Sequence, residues 1–563
     1  MGPVKKKSKK NQIPALKDNA VRIVPLGGLE EVGRNCNVLE YQGHLVVVDC
    51  GVLFPEYDQP GVDQILPNID YLKNRVDDIE AIVLTHGHED HIGAVPYLLK
   101  MRKDIPVIGS QFTIALVEAK MQEHHIVPNT KVVAEGDVNK IGPFEFEFIA
   151  VSHSIPDALA VFVRTPEGNL LITGDFKMDQ LPIDGRLTDL RAFAAAGEEG
   201  VDLLMMDSTN AEVPGFVASE SDIAPVIDDV IGKATGQVMV ATFASHVHRV
   251  QEIINAAAHH GRRVAFVGRS MVRNMDIAED LGFLDVPDGV LIDMRDMNSI
   301  PENRRLYMAT GSQGEPFAVV NRVANQSHQK ISFGKGDTVL LASSLIPGNE
   351  TSVYRMINNL IGLGVNVVSS RNARVHVSGH AAQGELLYAY NIIQPAYAMP
   401  IHGETRHLVA SGSLALKTGV PQDNVIIARN GSVVDMVDGE SKIVGQLDFH
   451  NIYVDGGSIG EITDSELQDR TTLAEEGFVA VIAVVDGQSR QIVSGPVIQG
   501  RAVAEDDSVF DAVLPDVTEA LQDSLEKGDD TYGMQQAMRR SLGRWLGRKL
   551  RRSPLIVPKI VEV

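Results

Sequence analysis

The chain has 563 residues, a length that predicts three to four domains at about 150 residues each. Hydrophobic residues make up 44% and charged residues 22% of the sequence, which is typical of a globular protein and excludes a mainly disordered, collagen-like or fibrous chain. The 51 lysines and arginines against 74 aspartates and glutamates leave a formal net charge of −23. This negative charge argues against a protein that coats nucleic acid through bulk charge, but it is compatible with a local basic groove.

Cysteines and apolar runs restrict the compartment in which the chain works. The two cysteines, Cys36 and Cys50, exclude a disulfide framework and favour a reducing, cytoplasmic location. The N-terminal lysines are followed by Gln12-Ile13-Pro14 rather than by an apolar segment, so the sequence predicts no secretory signal. No apolar stretch approaches the roughly 20 residues that span a bilayer, and we therefore expect no membrane partner.

The first 215 residues divide into a tail and a layered domain. Residues 1–18 are basic and polar, and we expect a disordered tail that either aids solubility or contacts a nucleic-acid phosphate. Residues 19–215 alternate short β-branched runs, such as 45–48 and 81–84, with helical stretches such as 112–124. This alternation predicts a layered α/β domain.

The remaining residues show four further segments. Residues 216–370 have a longer helix–strand alternation, which is typical of a doubly wound sheet, and they carry no P-loop motif. Strand-like runs return at 371–450, and a charged segment at 451–477 predicts a linker. Residues 478–563 predict a small C-terminal α/β domain.

The densest chemical signal follows the apolar run 81–84. The sequence T-H-G-H-E-D-H at 85–91 places three imidazoles and two carboxylates in six consecutive positions. In an extended turn His86 and His88 point the same way, and Asp90 and His91 then begin the next helix. Imidazole nitrogen and carboxylate oxygen together suit Zn²⁺ or Mn²⁺, so the loop predicts ligands for two adjacent ions. A histidine-rich surface turn is the alternative.

Further candidate ligands stand where apolar runs end. Four polar residues follow such runs within a few positions, namely Asp49, His153, Asp175 and His402. Side chains at the ends of buried strands meet at the open edge of a sheet, where binding sites form. Each alone could be a satisfied core or loop residue, but together with the histidine loop they favour a two-metal centre.

This set of residues resembles the metallo-β-lactamase superfamily. The resemblance rests on the H-x-H-x-D-H motif at 86–91 with the upstream and downstream residues just named. It implies a four-layer αββα fold and a dinuclear centre that holds zinc, manganese or both. It also implies that His86, His88 and His153 bind one ion, that Asp90, His91 and His402 bind the other, that Asp175 bridges them, and that Asp49 orients ligands.

Three further segments place the resemblance within one branch of this superfamily. D-S-T-N at 207–210 follows an apolar run, T-F-A-S-H-V-H-R at 242–249 opens a predicted helix, and H-V-S-G-H at 376–380 precedes the run that ends at His402. They resemble the motifs of the β-CASP nucleases, with Asp207 in the first motif, His380 or His376 in the second and His402 in the third. With the C-terminal domain and segment 310–316, about residues 20–555 resemble the bacterial ribonuclease J family.

The resemblance assigns the segments to domains. It implies that 19–215 and 371–450 are two parts of one metallo-β-lactamase αββα sandwich, that 216–370 is an inserted β-CASP α/β domain, and that 478–563 is the family's small C-terminal α/β domain. It also implies phosphodiester hydrolysis, in which two metal ions stabilise a crowded anionic transition state.

The catalytic and substrate-binding residues follow from this chemistry. We expect His380 to donate a proton to the leaving 3′-oxygen, with His376 as the second candidate, and Asp175 to act as the shared metal ligand. Asp207 is expected to orient ligands without binding a metal. Ser378 and the backbone N–H groups of Gly379 and His380 suit a phosphate, and the predicted helix start near Ser245 is another anion site or an ordinary helix cap. The predicted substrate-binding residues are Ser245, His246, His248, His376, Val377, Ser378, Gly379 and His380.

Two further features have a functional and a plain interpretation. Asp63 and Asp455 occupy positions where some relatives hold a structural cation, and their oxygens suit Ca²⁺, but ordinary surface carboxylates are the alternative. A C-terminal helix is strongly basic, and it either contacts RNA or a partner or is a solvated face. Its basic residues are Arg539, Arg540, Arg544, Arg548, Lys549, Arg551 and Arg552, and its apolar residues Met534, Leu542, Leu546 and Leu550 could support a dimer.

The sequence therefore predicts a metal-dependent ribonuclease. The resemblance implies 5′→3′ exonuclease activity that prefers 5′-monophosphate ends, together with endonuclease activity, in mRNA decay and rRNA maturation. It implies a homodimer or homotetramer, with an RNA helicase or other RNA-decay proteins as candidate partners. The alternatives are a DNA nuclease of the same branch, a hydrolase of small esters, thioesters or lactams, and an inactive RNA-binding subunit. The inserted domain argues against the small-molecule hydrolase, and the complete ligand set argues against the inactive subunit.

Overall fold

The computed structural model of the chain describes residues 13–55, 59–315, 318–345 and 349–563. The first twelve residues of the expected basic tail lie outside this range. The described residues form two compact units, of which the first runs to Phe54 and then from Gln64 to Ile452. The second consists of Pro55, residues 59–63 and Tyr453–Val563. None of the described helices combines the length and apolar character that a bilayer crossing requires.

The first unit begins with alternating strands and helices. Its strands are short and rich in buried valine, leucine and isoleucine, as in His44–Val48 and Ile79–Val83, because both faces of these strands pack against other layers. In chain order the elements are β1 (Val21–Gly27), β2 (Cys36–Tyr41), β3 (His44–Val48), β4 (Gln64–Leu66), β5 (Ile79–Val83), α1 (Glu89–Ile92), α2 (Val95–Met101), β6 (Pro106–Gly109), α3 (Gln111–Glu123), β7 (Asn129–Val132), β8 (Val138–Ile141), β9 (Phe144–Ala150), β10 (Leu159–Thr165), β11 (Gly168–Ile172), α4 (Leu190–Glu199) and β12 (Leu203–Asp207).

An inserted domain follows β12. Its elements are α5 (Ala224–Lys233), β13 (Val238–Ala241), α6 (Val247–His259), β14 (Arg263–Val267), α7 (Arg269–Asp280), β15 (Arg305–Ala309), α8 (Val319–Ala324), β16 (Thr338–Leu341), α9 (Glu350–Gly362) and β17 (Asn366–Val368). The strands pair in parallel in the order β14-β15-β13-β16-β17, and their side chains Met239, Tyr307 and Val339 belong to the core of this domain. This parallel sheet is the doubly wound arrangement that the helix–strand alternation predicts.

After the inserted domain, the chain returns to the two sheets that the strands before β13 began. The returning elements are α10 (Gln383–Ile393), β18 (Tyr397–Ile401), α11 (Thr405–Lys417), β19 (Ser432–Val437) and β20 (Glu440–Gln446). One sheet, called the first sheet, has the order β20-β19-β1-β2-β3-β5-β6-β7, and the second sheet has the order β18-β12-β11-β10-β9-β8. The return therefore completes both sheets, since β19 pairs with β1 and β18 pairs with β12.

The two sheets pack face to face. Val46 and Val83 of the first sheet share a core with Phe146, Val161 and Met205 of the second. The outer face of the second sheet is covered by α4, α10 and α11, and α3 packs beside β6 on the first sheet. Each fully buried side chain of this kind contributes about 1.5–3 kcal/mol of hydrophobic free energy. The layers confirm the αββα sandwich with its inserted domain.

The second unit has its own sheet and core. Its elements are β21 (Ile452–Asp455, of which Ile452 still belongs to the first unit), β22 (Ser458–Ile459), α12 (Asp464–Glu476), β23 (Phe478–Asp486), β24 (Gln491–Arg501), α13 (Leu514–Lys527), α14 (Thr531–Lys549) and β25 (Leu555–Glu562). The sheet order is β24-β23-β25, and α13 and α14 cover one face of it.

Two expectations for the C-terminal region differ from the structure. The expected linker at 451–477 contains α12, which begins at a capping box formed by Thr463 and Glu466. The expectation that the apolar face of α14 supports a dimer is wrong, because Met534, Leu542 and Leu546 are buried in the core of their own unit. The basic residues of this helix and of the segment that follows it are exposed.

Candidate metal centre

The candidate ligands stand at strand ends of both sheets. His86 and His88 follow β5 of the first sheet, whereas His153 follows β9, Asp175 follows β11 and His402 follows β18 of the second. Side chains that are more than 300 positions apart in the sequence thus meet at one edge of the sandwich.

One group of ligand atoms is formed by His86, His88, His153 and Asp175. Nδ1 of His88 lies 3.2 Å from Nε2 of His86 and 3.1 Å from Nε2 of His153. Oδ2 of Asp175 lies 3.6 Å and 3.7 Å from the same two Nε2 atoms. Three imidazole nitrogens and a carboxylate oxygen therefore converge on one point, which is the donor set of a zinc or manganese site.

A second group shares Asp175 and adds Asp90, His91 and His402. Nε2 of His91 lies 3.2 Å from Oδ2 of Asp175 and 3.7 Å from Oδ2 of Asp90. Nε2 of His402 lies 3.4 Å from Oδ2 of Asp90 and is buried without a hydrogen-bond partner in the described structure. A buried polar atom without a partner is costly, and a cation at this point would satisfy it. The residues therefore fit two divalent ions with Asp175 between them.

The pKa values separate the two groups. Burial lowers the pKa of His86 and His153 well below the ordinary value, and it lowers the pKa of His88 to about 4. Burial also opposes protonation of His91 and His402, but the nearby carboxylates outweigh it and raise the pKa of His402 to about 10. Because metal binding needs the neutral imidazole, an ion at the first group would meet little competition from protons, whereas an ion at the second would have to displace them.

Asp49 holds the second group in place without belonging to it. Its Oδ1 accepts the backbone N–H of Thr85 at 2.8 Å, and its Oδ2 lies 2.8 Å from Nδ1 of His91. The carboxylate keeps a proton on Nδ1, which leaves the Nε2 lone pair of His91 for a metal. Asp49 and His402 both have left-handed backbone conformations, with φ of 59° and 51°. Such strain in non-glycine residues is typical of functional sites.

His380 lies beside the metal ligands and is held by Asp207. Its Nδ1 is 2.8 Å from Oδ2 of Asp207, whose other oxygen accepts the N–H and O–H groups of Thr209. Asn210 donates to Oγ of Ser378 and to the carbonyl oxygen of His380, both at 2.8 Å. Burial opposes protonation of His380, but Asp207 and Asp175 outweigh it and raise its pKa. Asp207 therefore favours the protonated form of His380.

His376 has a different environment. Its Nδ1 lies 2.7 Å from Nη1 of Arg249, and the ring is not among the residues that form the ligand groups. Burial, and then the charge of Arg249, lowers the pKa of His376 to about 2. A general acid needs a transferable proton at the working pH, so this arrangement favours His380 over His376 for that role.

The predicted anion site at the start of α6 contains carboxylates. The imidazole of His246 is buried with its Nε2 3.1 Å from Oε1 of Glu220, and Nε2 of His248 lies 3.0 Å from Oδ2 of Asp184. Burial and then Arg249 lower the pKa of His246 to about 3. Ser245 is half-buried and precedes His246 at the helix N-cap. Both rings thus lie against carboxylates, although neither nitrogen of His246 has a hydrogen-bond partner among the described residues.

The two carboxylates expected at a structural cation site lie in the second unit with other partners. Oδ2 of Asp63 accepts the backbone N–H of Gly456 at 2.7 Å, and Oδ2 of Asp455 pairs with Arg470 at 2.7 Å. A structural calcium at Asp63 and Asp455 stays a prediction.

Several residues near the site have no counterpart in the sequence interpretation. Asn35 places Nδ2 3.0 Å from Nε2 of His91, and Glu220 pairs with Arg249 at 2.6 Å. Arg249 directly follows His248, so its place in the motif could have indicated it, whereas no sequence pattern marks Asn35 or Glu220. An exposed group of Asp228, His259 and His260 in the inserted domain could also hold an ion.

Models of known protein families match most of the chain. The metallo-beta-lactamase superfamily matches residues 29–213, and the ribonuclease J beta-CASP domain matches 235–360. The Zn-dependent metallo-hydrolase RNA specificity domain matches 365–427, and the ribonuclease J C-terminal domain matches 465–563.

Similar proteins extend this likeness over nearly the full length. Ribonuclease J of Corynebacterium glutamicum is 46% identical over 98% of this chain and 77% of its own. Ribonuclease J of Mycobacterium tuberculosis is 48% identical over 97% of this chain and 98% of its own, and that of Thermus thermophilus is 40% identical over 96% and 95%. A crystal structure of a protein of unknown function from Enterococcus faecalis is 17% identical with a TM-score of 0.52, and it covers 74% of this chain and all of that one. This last likeness concerns the fold alone.

Proposed function

The chain belongs to the ribonuclease J family, and on that premise we propose that it is a 5′→3′ exoribonuclease that prefers 5′-monophosphate ends and also cuts RNA internally. The observation that carries the proposal is the pair of ligand groups that share Asp175, with His380 beside them. The match of residues 365–427 to an RNA specificity domain supports RNA as the substrate. Membership of this family makes the chain a metal-dependent hydrolase of the nuclease class.

The residues divide the work as follows. His86, His88 and His153 would hold one divalent ion and Asp90, His91 and His402 the other, with Asp175 shared. When bound, zinc or manganese ions would supply the Lewis acidity that phosphodiester hydrolysis needs. His380 holds a proton for the leaving 3′-oxygen, and the carboxylate of Asp207 at Nδ1 directs the ring so that Nε2 is the donating atom.

The segment 376–380 is the proposed binding site for the 5′-phosphate. The backbone N–H of His380 donates to Oγ of Ser378 at 3.2 Å, so this N–H stabilises the turn itself rather than pointing freely to a phosphate as expected. Asn210 donates to the same Oγ and to the carbonyl oxygen of His380, which fixes the turn. A pocket of limited size that lies one nucleotide beyond the ligands would hold a terminal monophosphate and release one nucleotide per cut. RNA that passes the pocket would be cut internally.

The assembly and the biological role are proposed from the family. The outer face of the β24-β23-β25 sheet exposes Ile482, Val497, Val557 and Val561, and this apolar surface supports a homodimer that can pair further into a tetramer. The proposed role is mRNA decay and rRNA maturation in the cytoplasm, with an RNA helicase or other RNA-decay proteins as partners. A structural Ca²⁺ belongs to the same proposal.

A pair of RNAs tests the proposed activity. Two 3′-labelled copies of one RNA, with a 5′-monophosphate or a 5′-triphosphate, are incubated with the full chain and manganese, with a chelator control. We expect stepwise shortening of the monophosphate copy from its 5′ end, and only with metal. Equal internal cuts in both copies would contradict the 5′ preference, and intact RNA in both would contradict the ribonuclease proposal.

A further inference from the structure

Arg249 is a fully buried arginine on α6 that contacts the segment 376–380 from the inserted domain. Its Nη1 lies 2.7 Å from Nδ1 of His376 and 2.7 Å from the carbonyl oxygen of Ala342. Its Nη2 lies 2.6 Å from Oε1 of Glu220. We propose that Arg249 is a positioning residue that fixes His376 as a neutral N–H donor to the 5′-phosphate of RNA. This inference rests on the proposed function and adds the residue that sets 5′-end recognition.

The contact with Arg249 determines which nitrogen of His376 carries the proton. A guanidinium has five N–H donors, has no acceptor and does not lose its charge in proteins, so Nδ1 of His376 must accept. The proton of the neutral ring is then on Nε2. Among the described residues no protein atom hydrogen-bonds to Nε2, and the ring is half-buried. An N–H group is therefore available to a phosphate oxygen, which is an acceptor.

The groups around His376 keep the ring neutral. Besides burial, Arg249, Lys177 and His246 lower the pKa of His376 and so oppose its protonation. Glu220 is the carboxylate that favours protonation. Protonation would place a hydrogen on Nδ1 directly against the guanidinium. Glu220 also holds Arg249 in place, since both are buried and their charges are paired. The 5′-phosphate is thus recognised by a fixed neutral donor and not by a titrating cation.

Segment 376–380 is held at both ends by contacts with other parts of the chain. Arg249 contacts His376 at its start, and its Nη2 lies 3.5 Å from the carbonyl oxygen of Val377. Asn210 and Asp207 fix Ser378 and His380 at its end. The donor for the 5′-phosphate and the general acid are therefore held at a constant separation, which is what cleavage at a constant distance from the 5′ end requires.

A matched pair of arginine variants tests the role of Arg249. Arg262 is also buried in the inserted domain, but it donates to the backbone carbonyls of Ala234 and Gly236. The readout is the ratio of kcat/KM for a 5′-monophosphate RNA to kcat/KM for the 5′-hydroxyl RNA of the same sequence. R249M should lower this ratio by about tenfold, because a hydrogen bond to a charged group is lost. R262M should leave the ratio unchanged.

The pH dependence gives a readout that a merely structural arginine would not change. Without Arg249 the ring of His376 faces Glu220 without an opposing guanidinium, so it can be protonated as the pH falls. The kcat/KM ratio of R249M, divided by that of wild type at the same pH, should therefore rise as the pH is lowered from about 8 to about 6. Dividing by the wild-type ratio cancels the titration of the RNA phosphate itself. No recovery would contradict the neutral-donor assignment.

A second pair of variants at His376 applies whether or not R249M folds. H376Q places an amide N–H near the position of Nε2, so its kcat/KM ratio should stay within about threefold of the wild-type ratio. H376N lacks a donor at this position, and its ratio should fall about tenfold below wild type. Equal ratios in these two variants would overturn the inference. A wild-type enzyme that cuts both RNAs equally would overturn the proposed 5′ preference as well. A preference that persists unchanged in folded R249M would overturn this inference alone.

Discussion

Nδ1 of His402 lies 2.6 Å from Oδ1 of Asp175, although 227 positions separate the two residues in the chain. The contact follows from the second sheet, in which β12 pairs in parallel with both β11 and β18. Asp175 follows β11 and His402 follows β18, and these two strands flank β12 in the sheet. The inserted domain between β12 and β18 therefore does not separate the two residues in space. The second ligand group is complete only once the chain has returned from this domain.

The contact between Asp49 and His91 leads to a prediction about metal affinity. D49N removes the negative charge that holds the proton on Nδ1 of His91, and we expect metal affinity to fall by about 10- to 100-fold. Titration of chelator-treated protein with manganese, followed by RNA cleavage, measures this, and a large excess of metal should restore cleavage. D435N is the matched control, because Asp435 is buried in an ion pair with Arg22 away from the ligands. Equal affinities in D49N and D435N would contradict the assignment.

The pair of His380 and Asp207 predicts a change in the pH profile. Asp207 contributes to the raised pKa of His380, so D207N should lower that pKa and move the alkaline fall in kcat to lower pH. H380Q should reduce kcat by about 100-fold or more with a smaller effect on KM, because the proton donor is lost. H44Q, at an exposed histidine, should match wild type. An unshifted profile in D207N would show that His380 is not the titrating acid.

The buried histidine His246 predicts acid sensitivity of the folded state. Its pKa is lowered to about 3, so below the ordinary histidine value of about 6.5 the unfolded chain binds the extra proton and the folded chain does not. Stability therefore falls as the pH falls, by about 2 kcal/mol at about pH 5 from this residue. Urea unfolding at about pH 7.5 and pH 5 should show a smaller loss in H246Q than in wild type. The same loss in both proteins would count against a neutral buried His246.

Part of the site could be predicted from sequence because its ligands are contiguous or follow strands. His86, His88, Asp90 and His91 fall within six positions, and His153, Asp175 and His402 each follow an apolar run. Their geometry depends on the strand order, which local patterns do not contain. The contact between Arg249 and His376 spans 127 positions and links two domains, so no spacing rule indicates it.

The fold, like the site, could be predicted from the sequence only in part. Helix and strand alternation predicted a layered α/β domain and the doubly wound sheet of the inserted domain, because each element has its own periodicity. The αββα sandwich followed from the resemblance to the metallo-β-lactamase superfamily. The helices α10 and α11 were missed, since their apolar residues Leu386, Ala389 and Leu414 resemble strand runs in a short window. Periodicity also showed that α14 has an apolar face, but what covers that face depends on β23 and α13.

Asp175 is the residue on which the two-metal account depends, since it belongs to both ligand groups. Chelator-treated wild type and D175N should be titrated with manganese or zinc while bound metal and RNA cleavage are measured together. We expect wild-type cleavage to rise until two ions are bound per chain, and D175N to lose at least about 1,000-fold in cleavage with RNA binding still measurable. H259A, in the exposed group of the inserted domain, serves as the control for surface metal. Cleavage by metal-free protein, or unimpaired cleavage by D175N, would contradict the account.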